Sequence, residues 1–141
     1  MTKITIPLQI IDLHDDGFHP LLDIVIFQKN FKVVLDTGAS RTAFDHQLLL
    51  HANEEALITA SERLSTGLGT NSMQSSTAII ENIWLGELLI PSIEVAVLDI
   101  STINIAYREL GHPEVLGVIG SDIMMKYKAV IDFEKKILIL K

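Results

Sequence analysis

Asp36 stands at a junction: Val33-Val34-Leu35 precede it and Thr37-Gly38-Ala39-Ser40 follow. Apolar branched residues of this kind fill a buried strand, so the carboxylate emerges at the end of a core strand and not from a solvated loop. A charge placed there needs partners. Gly38 allows the backbone to turn sharply and to come close to whatever Asp36 faces, while Thr37 and Ser40 supply hydroxyls for the polar groups of the turn. Alone, such an aspartate caps a turn. Beside a second carboxylate about 3 Å away it shares one proton, and the pair becomes one acid and one base.

The elements that must hold this turn lie on both sides of it. Downstream, Val115-Leu116-Gly117-Val118-Ile119-Gly120-Ser121-Asp122-Ile123-Met124-Met125 and Lys126-Tyr127-Lys128-Ala129-Val130-Ile131-Asp132-Phe133 read as strand, glycine turn, short helix and strand. Upstream, the alternation of Ile4, Ile6, Leu8 and Ile10 gives a half-buried strand to about Leu13, and Asp15-Asp16-Gly17 turns the chain. Leu21 to Phe27 is a second strand, Lys29-Asn30 a tight hairpin turn, and Phe31 to Leu35 the strand that delivers Asp36. Asp45 is an N-cap for a helix over 46–58. Residues 63–75, with Ser65-Thr66-Gly67-Leu68-Gly69-Thr70-Asn71-Ser72, form a hairpin tip. Apolar strands run from Ala78 to Leu85 and from Leu88 to Ile100, parted at Gly86-Glu87, and a last strand covers Ile137 to Leu140. The stretch 102–114 is the least determined: it reads as a short helical insertion ending at Gly111-His112-Pro113, whose Ile103, Ile105 and Tyr107 pack on the core or on a partner.

Taken in order, these segments resemble the single-domain, retropepsin-like aspartic proteases. The pattern is two apolar residues and Asp-Thr-Gly-Ala/Ser, a glycine-bearing flap, then two apolar residues and glycine before a short helix, here Val118-Ile119-Gly120. A lone Asp-Thr-Gly is weak, but the ordered set covers most of the chain. The resemblance implies a mainly β fold, a closed, barrel-like acid-protease lobe with one or two short helices, in one domain over 1–141. With one Asp-Thr-Gly and no internal repeat, it implies a homodimer whose two copies of Asp36 meet on a two-fold axis. It gives Asp36 the catalytic role. Thr37 would bond across the axis, Gly38 and Ala39 would line the substrate, Ser40 and Gly120 would support the turn, and Gly67-Leu68-Gly69 would close over an extended peptide. Many viral relatives carry an acidic residue at the position of Ser40 and an arginine at that of Ser121. Here both are serine, which removes an ion pair from the expected dimer.

The rest of the sequence narrows the function. The chain has 141 residues, a formal charge of −7 and no basic cluster, which argues against nucleic-acid binding. Its 48% hydrophobic content suits a globular domain with surface left to bury in a dimer. It has no cysteine, and thus no disulfide or thiolate metal site. His14, His19, His46, His51 and His112 lack zinc-site spacing, so no metal and no cofactor are expected. Asp122 and Asp132 read as structural, at a helix start and a strand end. No run is long enough to span a bilayer and no leader is recognisable, which points to a cytoplasmic protein acting on peptides or proteins. Two expectations follow: an aspartic endopeptidase or, on the same fold, a non-catalytic module that dimerises or binds peptides.

Overall fold

Why Val33, Val34 and Leu35 form an unbroken apolar run is explained by what covers each side of their strand. The computed structural model describes residues 2–53, 58–67 and 70–141. In chain order the strands are β1 (Ile4–Pro7), β2 (Gln9–Asp12), β3 (Phe18–Ile26), β4 (Lys29–Leu35), β5 (Ala43–Asp45), β6 (Ile58–Gly67), β7 (Thr70–Leu85), β8 (Leu88–Leu98), β9 (Gly117–Ile119), β10 (Val130–Asp132) and β11 (Ile137–Leu140). The helices are α1 (His46–Ala52), α2 (Ser101–Glu109) and α3 (Ser121–Lys126).

Six strands close on themselves in the order β3, β4, β9, β5, β8, β7, with Val25 opposite Trp84 sealing the ring. The fold is therefore mainly β around a closed barrel. The described residues contain three short helices where one or two were expected. Because side chains alternate along a strand, Val33 and Leu35 enter the main core with Leu22, Ile24, Phe44 and Ile119, while Val34 points the other way. On that outer side it joins Leu21, Ala43, Ala96, Val118 and Tyr107 of α2 in a second cluster. Helix α2 thus covers this part of the barrel's outer face, and β4 is buried on both faces over Val33 to Leu35, as strands with continuous apolar sequence are.

Two pairings in the barrel are parallel, β4 with β9 and β5 with β8. Between β9 and β5 the backbones nearly touch. A Cβ on Gly117 would lie 2.0 Å from the Ala43 carbonyl oxygen and 2.8 Å from Phe44 Cα, so only glycine fits. Outside the barrel, β2 extends the sheet beyond β3 and β6 extends it beyond β7, while β1, β11 and β10 make a separate three-stranded sheet.

Several local expectations change. The single strand from Ile4 to Leu13 is two strands in two sheets, broken at Leu8, whose N–H turns to the Lys136 carbonyl (2.9 Å). The hairpin turn is Phe27-Gln28, with φ of 51° and 62°, and Lys29-Asn30 already lies in β4. Both left-handed φ values suit the twist of a two-residue hairpin, although neither residue is glycine. Helix α1 stops at Ala52 and does not reach Ile58, which opens β6. Asp45 caps it as expected, accepting from Leu48 N–H at 3.0 Å. Strands β6 and β7 run on to Gly67 and from Thr70, so most of the expected hairpin tip is strand; Leu68 and Gly69 lie outside the described residues. In 102–114 the helix is present as α2, with Tyr107 buried, Ile103 half-buried and Ile105 exposed. No described helix is long and apolar enough to cross a membrane.

Candidate active site

Asp36 is the first residue beyond β4, and its N–H continues the parallel ladder by donating to the Ile119 carbonyl at 2.9 Å. The chain then folds back on the carboxylate. Gly38 N–H donates to Asp36 Oδ1 at 2.9 Å, and Ala39 N–H donates to the Asp36 carbonyl at 3.2 Å. The other carboxylate oxygen accepts no hydrogen bond among the described residues. Asp36 is half-buried, while Thr37, Gly38 and Ser40 are exposed, with no side-chain hydrogen bond from Thr37 or Ser40 within the described chain. A carboxylate at the end of a buried strand, one oxygen held and one open, is equipped to move a proton.

The turn is held from beneath. Thr42, wholly buried, donates its N–H to both oxygens of Asp122 at 3.0 Å and its hydroxyl to Asp122 Oδ1 at 2.9 Å. The same hydroxyl accepts from Gly120 N–H at 3.1 Å, and Ile123 N–H completes the set on Asp122 Oδ1 at 2.9 Å. Ser121 N–H donates to the Ala39 carbonyl at 2.8 Å, joining the turn to the start of α3. This leaves no room at Gly120, where a Cβ would lie 2.7 Å from the Ala39 oxygen and 2.7 Å from the Arg41 carbonyl carbon. At the rim, Arg41 reaches Glu94 of β8 at 3.0 Å.

A family model described as aspartyl protease matches residues 22–123, which span β3 through the first turn of α3. The chain belongs to the aspartyl protease family. No curated protein matches its sequence. Among solved structures, a retropepsin-like aspartic protease from Rickettsia conorii superposes with a TM-score of 0.57 at 17% identity, covering 99% of this chain and 90% of that one. The retroviral protease-like domain of Ddi1 from Leishmania major gives 0.56 at 17% identity, covering 86% of each chain. At these identities the likeness is one of fold, and the fold is retropepsin-like.

Within this aspartyl protease fold, Asp36, Thr37, Gly38, Ala39, Ser40 and Gly120 gather in one place. Gly67 ends β6 on a hairpin that runs past the point where β7 leaves β8, at Ser76 opposite Val97. The support of the turn observed in the chain runs through Thr42 and Asp122. Asp122 was expected to be structural, and its carboxylate is fully engaged; Asp132 accepts from Lys135 N–H at 2.9 Å in the turn before β11. The neighbours Ser40, Arg41 and Ala43 give Thr42 no local mark of this role.

A second group was not visible in the sequence. Tyr107 is buried, and its hydroxyl lies 2.6 Å from His19 Nδ1. Burial, and then the negative charge of Asp36, push the phenol up to about 12. His112 packs edge-on to Tyr107 at 6.4 Å and bonds through Nε2 to the Asp12 carbonyl at 2.7 Å. At the start of α2, the Ser101 hydroxyl and N–H hold Asp99 below the usual carboxylate range.

Proposed function

We propose that this chain is an aspartic endopeptidase whose dyad is Asp36 of two copies related by a two-fold axis. The observation that carries the reading is the state of Asp36: a half-buried carboxylate with one oxygen unbonded among the described residues, on an Asp-Thr-Gly turn braced from below, in a chain that holds one such motif. Two such carboxylates about 3 Å apart share one proton. The ionised member takes a proton from a water molecule between them. The resulting hydroxide attacks the scissile carbonyl, which the protonated member polarises; the C–N bond then breaks, and the amine leaves with a proton from the dyad.

The remaining residues take roles around that step. Thr37 is exposed and its hydroxyl has no partner among the described residues, so it bonds the opposite turn. Gly38 and Ala39 border the substrate, with Ser40 and Gly120 shaping the turn. Gly67, Leu68 and Gly69 form the flap, and the peptide lies extended between flap and floor, adding strand-like hydrogen bonds. The serines at 40 and 121 lend the dimer no ion pair, and β1 is paired within its own chain to β11, so the turns carry much of the association. Specific activity therefore rises with protein concentration.

That same pairing favours a second reading, a retropepsin-fold module that binds peptides without cutting them. One experiment separates the two. A diverse peptide library is incubated with wild type and Asp36→Asn at several concentrations from acidic to neutral pH. Cleavage lost in the variant supports the peptidase. Equal cleavage by both refutes it, and stable peptide binding with no cleavage by wild type selects the module.

A further inference from the structure

We propose that Arg41 is a specificity-determining residue of the cleft, holding an acidic side chain of the substrate about three residues from the bond that is cut. The inference rests on the peptidase reading above.

The chain between Asp36 and β5 fixes where Arg41 stands. Ala39 borders the substrate in that reading, and Arg41 follows it after one residue. Its backbone is held. The Arg41 carbonyl carbon and oxygen lie 2.7 and 2.8 Å from where a Cβ on Gly120 would be, and the next residue, Thr42, is wholly buried and bound to Asp122. Gly120 in turn follows Ile119, whose carbonyl accepts the Asp36 N–H. Asp36 and Arg41 are thus packed on the end of β9, which lies between β4 and β5. Neighbouring strands stand about 4.8 Å apart, so the start of β5 is about 10 Å across the sheet from Asp36, a distance that an extended peptide rising about 3.4 Å per residue covers in about three residues.

The side chain lies along the mouth of the cleft. Arg41 Nη2 donates to Glu94 Oε1 at 3.0 Å, and Glu94 of β8 stands opposite Ile79 of β7. Ile79 is 65% exposed, although Ala78 and Ile80 on either side of it are buried. Because cross-strand partners share a face, Arg41, Glu94 and Ile79 form a strip from the catalytic turn to the strand that pairs with β6 in the flap hairpin. A peptide held between turn and flap passes over this strip.

The chemistry of the strip favours a carboxylate. A guanidinium presents its N–H donors in a planar fork, and the bond to Glu94 uses Nη2 alone; among the described residues Nε and Nη1 have no partner. The Arg41 side chain is 25% exposed and that of Glu94 53%. The cation is therefore within reach of a substrate yet less screened by water than the anion, and its spare donors fit a second carboxylate. Glu94 steadies the fork. With 18 acidic residues against 11 basic ones, the chain as a whole repels acidic peptides, so a preference for one is a local effect that Arg41 supplies. In a two-fold dimer each half of the cleft holds one Arg41, and the preference appears on both sides of the scissile bond.

Cleavage of a peptide series tests this. A sequence cut by wild type is resynthesised with Glu, Gln or Lys at each position flanking the cut, and kcat and KM are compared for wild type, Arg41→Gln and Arg41→Glu. Wild type is expected to favour Glu over Gln by roughly fivefold at about the third residue on both sides, through KM, and less so at high salt. Arg41→Gln is expected to remove the preference and Arg41→Glu to turn it towards Lys. A folding defect would slow all three peptides alike and leave their ratios standing. Equal KM for Glu and Gln peptides in wild type, a preference for Lys, or a preference for Glu that survives in Arg41→Gln overturns the proposal. Should wild type cut nothing, the peptidase reading is lost, and the dissociation constants of Glu and Gln peptides from the library, compared between wild type and Arg41→Gln, decide the role of Arg41; a chain that binds neither overturns it as well.

Discussion

Asp36 and Asp122 flank the same turn, and their surroundings are opposite. Asp122 receives Thr42 N–H on both oxygens, and Thr42 Oγ1 and Ile123 N–H on one of them, so its bonding capacity is used in holding the backbone. Among the described residues, Asp36 receives one N–H, from the turn it belongs to. Asp45 resembles Asp122, with one oxygen on Leu48 N–H and the other on Ile100 N–H. The contrast separates carboxylates spent on holding backbone from one that keeps an oxygen open among the described residues. Its neighbours are saturated so that it need not be.

The sharpest way to break this contrast is to neutralise each acid in turn. Asp36→Asn is expected to lower peptidase activity about 10³-fold while changing stability by less than about 0.5 kcal/mol, since the amide oxygen still accepts from Gly38. Steady-state cleavage and urea unfolding check the two halves. Asp122→Ala is expected to do the reverse in origin: it leaves the buried Thr42 N–H and hydroxyl without their acceptor and costs about 3 kcal/mol of stability. A midpoint within experimental error of wild type in urea would show that Asp122 does not brace the turn.

A third prediction moves to the outer cluster. Folding raises the Tyr107 phenol from its ordinary 10 to about 12, so the stability it contributes is complete below pH 10 and is lost as pH rises towards 12. The loss is on the order of 2 kcal/mol and should be missing in Tyr107→Phe when urea midpoints are compared between pH 9 and 12. The smallest effect is expected at the rim. Arg41 and Glu94 are partly exposed, so Arg41→Ala should cost about 0.5 kcal/mol or less, and less still in high salt.

How much of this could be read in advance depends on how local each feature is. The strand Val33 to Leu35, the Asp-Thr-Gly turn, the break at Gly86-Glu87, the N-cap at Asp45 and the helix before Gly111 are written in adjacent residues, and the structure contains them. The hairpin at Phe27-Gln28 was misplaced by two residues because Asn30 is the stronger turn former, while the register of β3 on β4 sets the turn earlier. The helix from His46 was extended too far because Glu54 and Glu55 favour helix by propensity, whereas Ile58 is claimed by pairing with Ala78. The two polar pairs that join distant elements, Thr42 with Asp122 and His19 with Tyr107, link residues 80 and 88 positions apart. No local pattern specifies such a contact. Both depend on β9 and α2 returning to the strand that carries Asp36.

That dependence governs the order in which the protein acquires its site. Val33 pairs with Gly117 and Asp36 N–H with Ile119, so the strand bearing the aspartate lacks its parallel neighbour until residues 117–119 have also been synthesised. Parallel pairing across so long a separation is slow to form. The nascent chain therefore carries its aspartate long before it carries the strand and helix that brace the turn around it.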